Sequence, residues 1–449
     1  MGAQIGVGVL LVAVVYIGSL VGFLRVPHLA VAGTIALFAL IPAMKVFVGD
    51  WVGSVKDLVT IAAVSAGILL LVVGDRQADR WILALVGLLL GLYVINVGGG
   101  HGIAWAQGLR LVAEPLLLLV VGLTLPNPRR TFRYALWALV VTGCLVAAVG
   151  VFQQYVGKHT LADWGYSYAK QVRSLAGGQL RSFGTLDEPF AYAALLSFAI
   201  AGVLFWLRRG PLAWAAGFLL LVGLGVSFVR AAVLILVAYL GLLLARRGRL
   251  PSGALVMAAS AVAGVFVIGE AGGTQSKTYG IRTRHGTLSQ PAQSGNLILN
   301  GRISAWQAAL GKDPSEWLFG RGVGKVGTGA ARATFTIAAP TGPNTGATTQ
   351  AVDSGYLAAI ADVGIVGLVV LLTLFARLFL LSSRAAARDS DAGWVALALL
   401  AAMLLDALAR ASFTGFPTAS LGLLLVGIAL VAAREEPDSS RAPVTSSGP

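Results

Sequence analysis

The residues of this sequence that could do chemistry are a few arginines and one aspartate placed beside apolar segments. Arg181 lies in LRSFGTLDEPF, Arg230 in VSFVRAAV, Arg302 in GRISAW and Arg321 in LFGRGVG, while Asp353 opens VDSGYLAAIADVGIVG. Arginine presents a planar fork of N–H donors that matches the oxygens of a phosphate group. A carboxylate nearby could orient or deprotonate a hydroxyl group. These residue types therefore suggest transfer of a group from a phosphorylated donor.

Most of these positions also have an ordinary structural interpretation. Asp353 stands where a helix would begin, a position at which aspartate stabilises a helix by about 0.5–2 kcal/mol. Arg230 could extend its charge into the lipid headgroups. Asp187 and Glu188 precede Pro189, and because acids and proline are favoured where helices begin, we expect these acids to cap a helix.

Asp362 is the second acid of the stretch that Asp353 opens. On a continuous helix it would lie near the opposite face from Asp353, so the two acids cannot act there as a catalytic pair. Gly364 and Gly367 follow Asp362 closely, and glycines permit close contact between membrane helices. We therefore predict that Asp362 serves helix contacts.

Two pairs of opposite charges lie near the ends of apolar segments, Arg110 with Glu114 and Asp406 with Arg410. Each pair has the spacing of neighbouring turns of a helix, so each can neutralise itself and we predict a structural role. The chain has one cysteine, Cys144, and four histidines without ligand spacing. We accordingly expect no disulfide, no metal site and no cofactor.

The elements that must hold these residues are membrane-spanning helices. Of the 449 residues, 57% are hydrophobic and 12% are charged, whereas about 25% of the residues of soluble proteins are charged. Apolar runs of spanning length recur from end to end. We predict an all-α polytopic membrane protein of 12 or 13 spanning helices, at about 4–24, 27–48, 58–74, 81–98, 107–125, 133–153, 189–207, 211–227, 230–245, 251–269, 354–381, 393–409 and 416–433.

Arginine-rich loops alternate with loops that carry few positive charges. By the positive-inside rule the arginine-rich loops are cytoplasmic, which makes the long segments 154–188 and 270–352 extracytoplasmic. The larger segment should contain short helices, one of them in RISAWQAALGKD. We predict one integral membrane domain over 1–433 in the cytoplasmic (inner) membrane, with an N-terminal span that is retained rather than cleaved. Residues 434–449 should form a disordered cytoplasmic tail.

The net charge of +14 does not indicate a nucleic-acid partner, because its arginines lie in loops between spans rather than on a soluble basic face. Membrane lipids are the expected surroundings. The glycine spacing of LFGRGVGKVG does not indicate a nucleotide site either, since GK[ST] and a preceding strand are missing.

Four motifs in a fixed order resemble the O-antigen ligase/polymerase superfamily of GT-C-type integral membrane glycosyltransferases. They are R-S-F-G-T-x-x-x-P-F, then S-x-x-R at the start of a span, then G-R-x-x-x-W with L-F-G-x-G-x-G, and finally D-x-x-Y-L-x-x-x-x-x-x-G-x-x-G-L. The resemblance covers about 180–370. The order of the motifs around one large loop is more specific than any single motif.

The resemblance implies transfer of a glycan from an undecaprenyl-diphosphate-linked oligosaccharide to a hydroxyl of a glycan, lipid or protein acceptor. The transfer would occur at the extracytoplasmic face without a metal. Arg181, Arg230 and Arg302 match the arginine positions of the family and would grip the diphosphate, and we assign Arg321 to the same group. We predict Asp353 and Arg302 as the catalytic residues.

Asp353 is also where this chain departs from the family. Ligases of the superfamily generally carry histidine at that position, in H-N-x-x-L, and it is thought to activate the acceptor. This chain has D-S-G-Y-L, and aspartate is the weaker base at neutral pH because its ordinary pKa is near 3.9. The difference favours a polymerase, or another surface-glycan transferase, over a lipid A-core ligase.

A transporter or flippase of lipid-linked glycans is the main alternative function. Transporters place ionisable residues near the bilayer midplane and often pair interrupted helices, whereas the polar residues of this sequence cluster at the outer ends of spans and in one loop. A structural membrane scaffold is a third possibility, but it would leave the loop arginines without a role.

Overall fold

The computed structural model describes residues 2–73, 78–166, 172–174, 179–207, 210–248, 313–325, 327–328 and 354–435, with side chains for these except 2–11 and 173–174. The predicted span 251–269, Arg302, Asp353 and most of the predicted tail lie outside these residues. The part of the chain that is described is built from α-helices, with one short two-stranded antiparallel sheet.

Short connections join the first six helices, whereas longer stretches of the chain follow the sixth and the ninth helix. The first six are α1 Gly2–Arg25, α2 Pro27–Val48, α3 Val52–Val73, α4 Arg80–Ile95, α5 Ile103–Thr124 and α6 Pro128–Asp163. After β1 (Arg173–Ser174) and β2 (Leu180–Arg181) come α7 Pro189–Gly202, a π-helical turn Val203–Leu207, α8 Pro211–Gly225 and α9 Arg230–Arg246. The last four are α10 Pro314–Phe319, α11 Gly355–Ala386, α12 Asp391–Ala409 and α13 Thr418–Glu435.

Eight helices of the described residues are long and apolar enough to cross a membrane. They are α2, α3, α5, α6, α7 with its π-helical turn, α11, α12 and α13. Because a helix rises about 1.5 Å per residue, these helices approach or exceed the thickness of a bilayer core. The chain is therefore an all-α, multi-pass membrane protein, which confirms the class predicted from its composition.

Most helix bounds agree with the predicted spans to within about six residues. The largest difference is at the end of α6, which continues from the predicted 153 to Asp163 through a break at Gly157 (φ +78), so the segment predicted as the loop 154–188 begins as helix. The structure begins α3 at Val52 and α6 at Pro128, ahead of the predicted 58 and 133. Charged residues in these first turns interrupt the apolar run but not the helix, because their side chains reach ion-pair partners or solvent. The last helix continues to Glu435, so residues 434 and 435, which were predicted to begin the tail, belong to α13.

The helix α13 lies at the centre of the bundle, and nearly all of its residues are buried. Glycines bring it close to α5: a side chain on Gly427 would meet the Leu119 carbonyl oxygen at 2.6 Å, and one on Gly122 would clash with the Leu424 carbonyl. Small residues permit this backbone approach, which favours packing between membrane helices.

Short connections make successive helices antiparallel, so their ends gather in two layers. We call one layer the polar end and define it by residues 95–103, 180–189, 225–230, 354–356 and 410–418. We call the other layer the arginine end. It carries the ion pairs Arg377–Asp79 at 2.6 Å and Arg246–Asp391 at 2.5 Å.

Candidate functional site

The first part of the site is the segment LRSFGT, 180–185, which begins with β2, continues as irregular backbone and is wholly buried. Gln153 of α6 holds it: its Nε2 donates to the Gly184 carbonyl at 2.7 Å, and its Oε1 accepts from the amides of Phe183 at 3.0 Å and Gly184 at 2.9 Å. Gln154 Nε2 donates to the Leu180 carbonyl at 2.8 Å. Irregular backbone inside a membrane bundle needs such partners, because water cannot supply them.

Arg181 belongs to this buried segment and supports the turn before α9. Its Nε donates to the Ser227 carbonyl at 3.3 Å and its Nη2 to the Phe228 carbonyl at 3.2 Å. Its Cζ lies 4.9 Å from the centre of the Phe190 ring. Arg230, the first residue of α9, is exposed beside this turn. Arg181 therefore positions the segment that presents Arg230, a structural task that the sequence did not reveal.

The second part is the glycine-rich loop 320–328, which packs against the first half of α11. The Arg321 amide donates to the Ala361 carbonyl at 2.8 Å, and the Val323 amide donates to Asn96 Oδ1 at 2.7 Å. The Arg321 side chain is one-third exposed, with its Nε 3.7 Å from Glu316 Oε2. The loop is thus fixed to two helices and presents an arginine.

Asp362 binds this loop rather than another helix. Both of its carboxylate oxygens lie 3.1 Å from the Thr328 amide, and the side chain is 1% exposed. Two residues later Gly364 has φ +70 and breaks the helix, and a side chain there would clash with the Leu318 carbonyl. The prediction of helix–helix packing is therefore corrected: Asp362 and Gly364 accommodate a loop.

The third part is a network of charges around Arg410, just beyond the end of α12. Its Nε donates to Asp406 Oδ2 at 2.5 Å, its Nη2 to Thr418 Oγ1 at 2.6 Å and its Nη1 to Glu188 Oε1 at 3.2 Å. Ser412 Oγ also donates to Asp406 at 2.6 Å. Burial would lower the pKa of Arg410, but the two carboxylates raise it above its ordinary value, so the guanidinium stays charged.

The Asp406–Arg410 pair was predicted from its spacing, whereas the prediction for Arg110 with Glu114 was wrong. Glu114 instead accepts from Lys56 Nζ of α3 at 2.6 Å and from Ser420 Oγ of α13 at 2.9 Å. Arg110 pairs with Asp57 of α3. Spacing along one helix cannot reveal such partners, because a neighbouring helix can approach the charge more closely than the next turn does.

The start of α11 lies against the Arg410 segment. Ser354 Oγ donates to the Ala407 carbonyl at 3.2 Å, and Tyr356 OH donates to the Leu404 carbonyl at 2.8 Å. A side chain on Gly355 would lie 3.3 Å from the Arg410 carbonyl oxygen. Asp353 directly precedes Ser354 in the chain but lies outside the described residues, as does Arg302.

An apolar crevice lies between α4, α5, α11 and α13, with Thr328, Phe413 and Thr414 in its lining. The crevice has a volume of about 20 Å³, which is enough for about one water molecule. Its size suits a water better than a sugar or a lipid chain. It separates the glycine-rich loop from the loop 410–417.

Of the five predicted site residues, the structure describes Arg181, Arg230 and Arg321. Arg181 supports the turn that precedes Arg230 at the start of α9, whereas the glycine-rich loop places Arg321 beside α11. Comparison with known proteins adds no assignment: no protein-family model matches the chain, and no curated protein matches it. The resemblance to the O-antigen ligase/polymerase superfamily therefore stays a prediction.

Proposed function

We propose that this chain is a metal-independent membrane glycosyltransferase. It would move a glycan from an undecaprenyl-diphosphate-linked oligosaccharide to an acceptor hydroxyl during assembly of a surface polysaccharide, as a polymerase or a ligase. The observation that carries this proposal is the polar end itself. There the turn that presents Arg230, the Glu188–Arg410 pair and the start of α11 lie at one end of the helix bundle.

The donor's diphosphate would bind at the arginines. Arg230 is exposed at the first turn of α9, where the positive end of the helix dipole adds to its charge. In the proposed site Arg302 and Arg321 complete the grip, and Arg181 contributes through the turn that it holds. A leaving diphosphate gains negative charge in the transition state, so fixed arginines stabilise that state more than the ground state.

The acceptor hydroxyl would bind beside the start of α11. Asp353 is proposed to orient this hydroxyl or to take its proton, and Arg302 to stabilise the leaving group. Support comes from Ser354, which follows Asp353 and is held at 3.2 Å from the Ala407 carbonyl. This contact puts the head of α11 next to Arg410, within the same polar end as Arg181 and Arg230.

We assign the polar end to the extracytoplasmic face of the cytoplasmic membrane. The opposite end carries most of the arginines of the described helices, among them Arg25, Arg129, Arg130, Arg133, Arg384, Arg388 and Arg434. Positive residues in short loops and at helix ends favour the cytoplasmic side. A lipid-linked donor would then be used after it has crossed the membrane.

Transport of a lipid-linked glycan is the second candidate, and the buried Lys56–Glu114 pair favours it. Glu114 lies at the middle of α5, and ionisable groups inside membranes often mark a transport path. Lys56, however, follows the start of α3 by four residues, or about 6 Å along the axis. Ser420, the other partner of Glu114, also lies in the first turn of α13. Both partners thus place the Glu114 carboxylate near the polar end, although Glu114 is midway along α5, rather than at the midplane that transporters use.

The experiment that separates these functions uses the purified full chain with a lipid-diphosphate-linked oligosaccharide. A glycosyltransferase will release the lipid diphosphate and yield a longer or relocated glycan, which mass spectrometry of both products detects. The same donor, enclosed in proteoliposomes with a lectin outside, reports translocation. Movement of the glycan across the bilayer without release of lipid diphosphate would overturn the proposed activity and favour the transporter.

A further inference from the structure

We propose that Glu188 is a catalytic carboxylate of this site and takes the proton of the acceptor hydroxyl. This inference rests on the proposed glycosyl transfer. It comes from the way the structure uses the Glu188 side chain, which differs from what its position at a helix start predicts.

Glu188 occupies the N-cap position of α7, yet its side chain forms no capping hydrogen bond with the helix. The backbone carbonyl of Glu188 accepts from the Tyr192 amide at 3.2 Å, as an N-cap carbonyl does. The carboxylate instead extends to Arg410, whose Nη1 lies 3.2 Å from Oε1. The expected capping role is therefore wrong for this side chain, and its orientation needs another explanation.

Arg410 is held rigidly enough to orient the carboxylate. It is 8% exposed and donates to Asp406 at 2.5 Å and to Thr418 at 2.6 Å in addition to Glu188. The Asp406 carboxylate is fixed in turn by Ser412 at 2.6 Å. A buried carboxylate thus holds an arginine, and the arginine holds Glu188. Such a chain of supporting contacts fixes a reacting group in place.

The Glu188 side chain remains 35% exposed, in contrast to Asp406 at 5%. It can therefore reach a ligand at the polar end while Arg410 holds it. Phe190 follows Glu188 by two residues, and the centre of its ring lies 4.9 Å from Arg181 Cζ. Arg181 in turn supports the turn that presents Arg230. Glu188 thus lies between the segment proposed to grip the diphosphate and the head of α11.

Arg410 also links Glu188 to the head of α11. Its side chain holds Glu188, and its carbonyl oxygen lies 3.3 Å from the position of a side-chain carbon on Gly355. Asp353 lies two residues before Gly355. Arg410 therefore connects the Glu188 carboxylate to the first turn of α11, beside which the acceptor hydroxyl is proposed to bind.

The proposed step balances without a further reactant. The oxygen of the acceptor hydroxyl forms a bond to the anomeric carbon, and the bond from that carbon to the diphosphate oxygen breaks. The electron pair leaves with the diphosphate, and the proton of the hydroxyl passes to the Glu188 carboxylate. A positioned general base of this kind accelerates transfer by about 10²–10⁴-fold.

The test compares variants of the full chain in the glycan-transfer assay. Glu188→Gln keeps the size of the side chain and a hydrogen-bond acceptor for Arg410 but removes the base. We expect it to lose at least about 10²-fold in transfer rate while its affinity for the lipid-diphosphate donor is unchanged. Glu188→Asp should keep part of the activity, and the neighbouring Asp187→Asn should resemble wild type.

Addition of formate separates a proton acceptor from a structural residue. Formate should restore transfer to Glu188→Ala, because a small carboxylate can enter the space of the missing one, and should leave Arg410→Ala inactive. Wild-type transfer by Glu188→Gln would overturn the inference, and so would loss in every Glu188 variant without rescue by formate. If wild type itself transfers no glycan, the proposed function fails instead.

Discussion

Gln153 pairs with Gly184 through two hydrogen bonds that run in opposite directions. The side-chain amide donates to the Gly184 carbonyl at 2.7 Å, and the Gly184 amide donates back to Oε1 at 2.9 Å. The pairing imitates a β-bridge with a side chain in place of a second strand. It lets a non-helical segment run through the bundle with its polar groups satisfied.

Gln153→Met should therefore destabilise the protein strongly. Methionine fills a similar volume but leaves the Gly184 amide and carbonyl and the Phe183 amide unpaired, at about 1–3 kcal/mol for each buried group. The measurement is the apparent melting temperature of the purified protein in detergent. Val149→Ala, at an exposed position of the same helix, is the matched control. A melting temperature for Gln153→Met equal to that of Val149→Ala would contradict the pairing.

Two buried tyrosines allow a second test, because only one of them has a hydrogen-bond partner among the described residues. Tyr239 OH donates to the Ser197 carbonyl at 3.0 Å, whereas Tyr192 OH is buried without a partner there. Tyr239→Phe should cost about 0.5–1.5 kcal/mol. Tyr192→Phe should leave the apparent melting temperature unchanged or raise it. A larger loss for Tyr192→Phe than for Tyr239→Phe would show that the hydroxyl of Tyr192 has a partner.

The spanning helices could be predicted from the sequence because a bilayer demands length and apolarity, and both are visible in single segments. The predicted 189–207 coincides with α7 and its π-helical turn, and the predicted 27–48 coincides with α2. The errors occur where helices continue through charges, as at Lys56 in α3. A hydropathy pattern ends at the first charge, whereas the helix ends where its hydrogen bonds do.

The contacts of the site were harder to predict because they join distant parts of the chain. Arg181 was predicted as a site residue and Glu188 as a helix cap, but their partners Phe228 and Arg410 lie elsewhere in the chain. Glu188 was expected to cap α7, since local spacing is the only geometry that a sequence offers. The adjacent glutamines Gln153 and Gln154 at the end of an apolar run were the signal that sequence reasoning missed.

The Lys56–Glu114 pair gives a third prediction, in the form of a double-mutant cycle. Both side chains are at most 8% exposed. Among the described residues, Glu114→Gln therefore leaves the buried ammonium of Lys56 with Asp57, at 3.6 Å, as its one charged partner. Removing one partner of a buried pair costs about 3–5 kcal/mol, whereas removing both with apolar replacements can cost much less. We expect Lys56→Met with Glu114→Leu to be more stable than Glu114→Gln.

The neighbouring pair Arg110–Asp57 is the control for this cycle. Its side chains are 53% and 32% exposed, and an exposed ion pair contributes about 0–1 kcal/mol. Arg110→Gln should therefore shift the apparent melting temperature much less than Glu114→Gln does. Equal shifts for the two single variants would mean that burial of the Lys56–Glu114 pair does not govern its contribution.

Asp79, in the connection before α4, predicts how stability responds to acid. Burial would raise the pKa of Asp79, but the hydrogen bond from Arg377 and those from the amides of Ile82 and Trp81 outweigh it and hold the pKa below the ordinary 3.8. As the pH falls, the Asp79 carboxylate is therefore protonated at a higher pH in the unfolded chain than in the folded protein. The stabilisation is complete above about pH 4 and is lost as the pH falls through the lowered pKa.

Asp79→Asn isolates this contribution, because asparagine caps a helix as well as aspartate does but cannot pair with Arg377 as an anion. Relative to wild type, the variant should melt at a lower temperature near pH 7, and the difference should shrink as the pH falls below about 4. Asp389→Asn is the control, because Asp389 forms a longer ion pair at the same end of the bundle. Its Oδ1 lies 3.4 Å from Arg246 Nη2, and its side chain is 74% exposed. A difference between Asp79→Asn and wild type that persists unchanged at low pH would mean that the charge on Asp79 does not cause it.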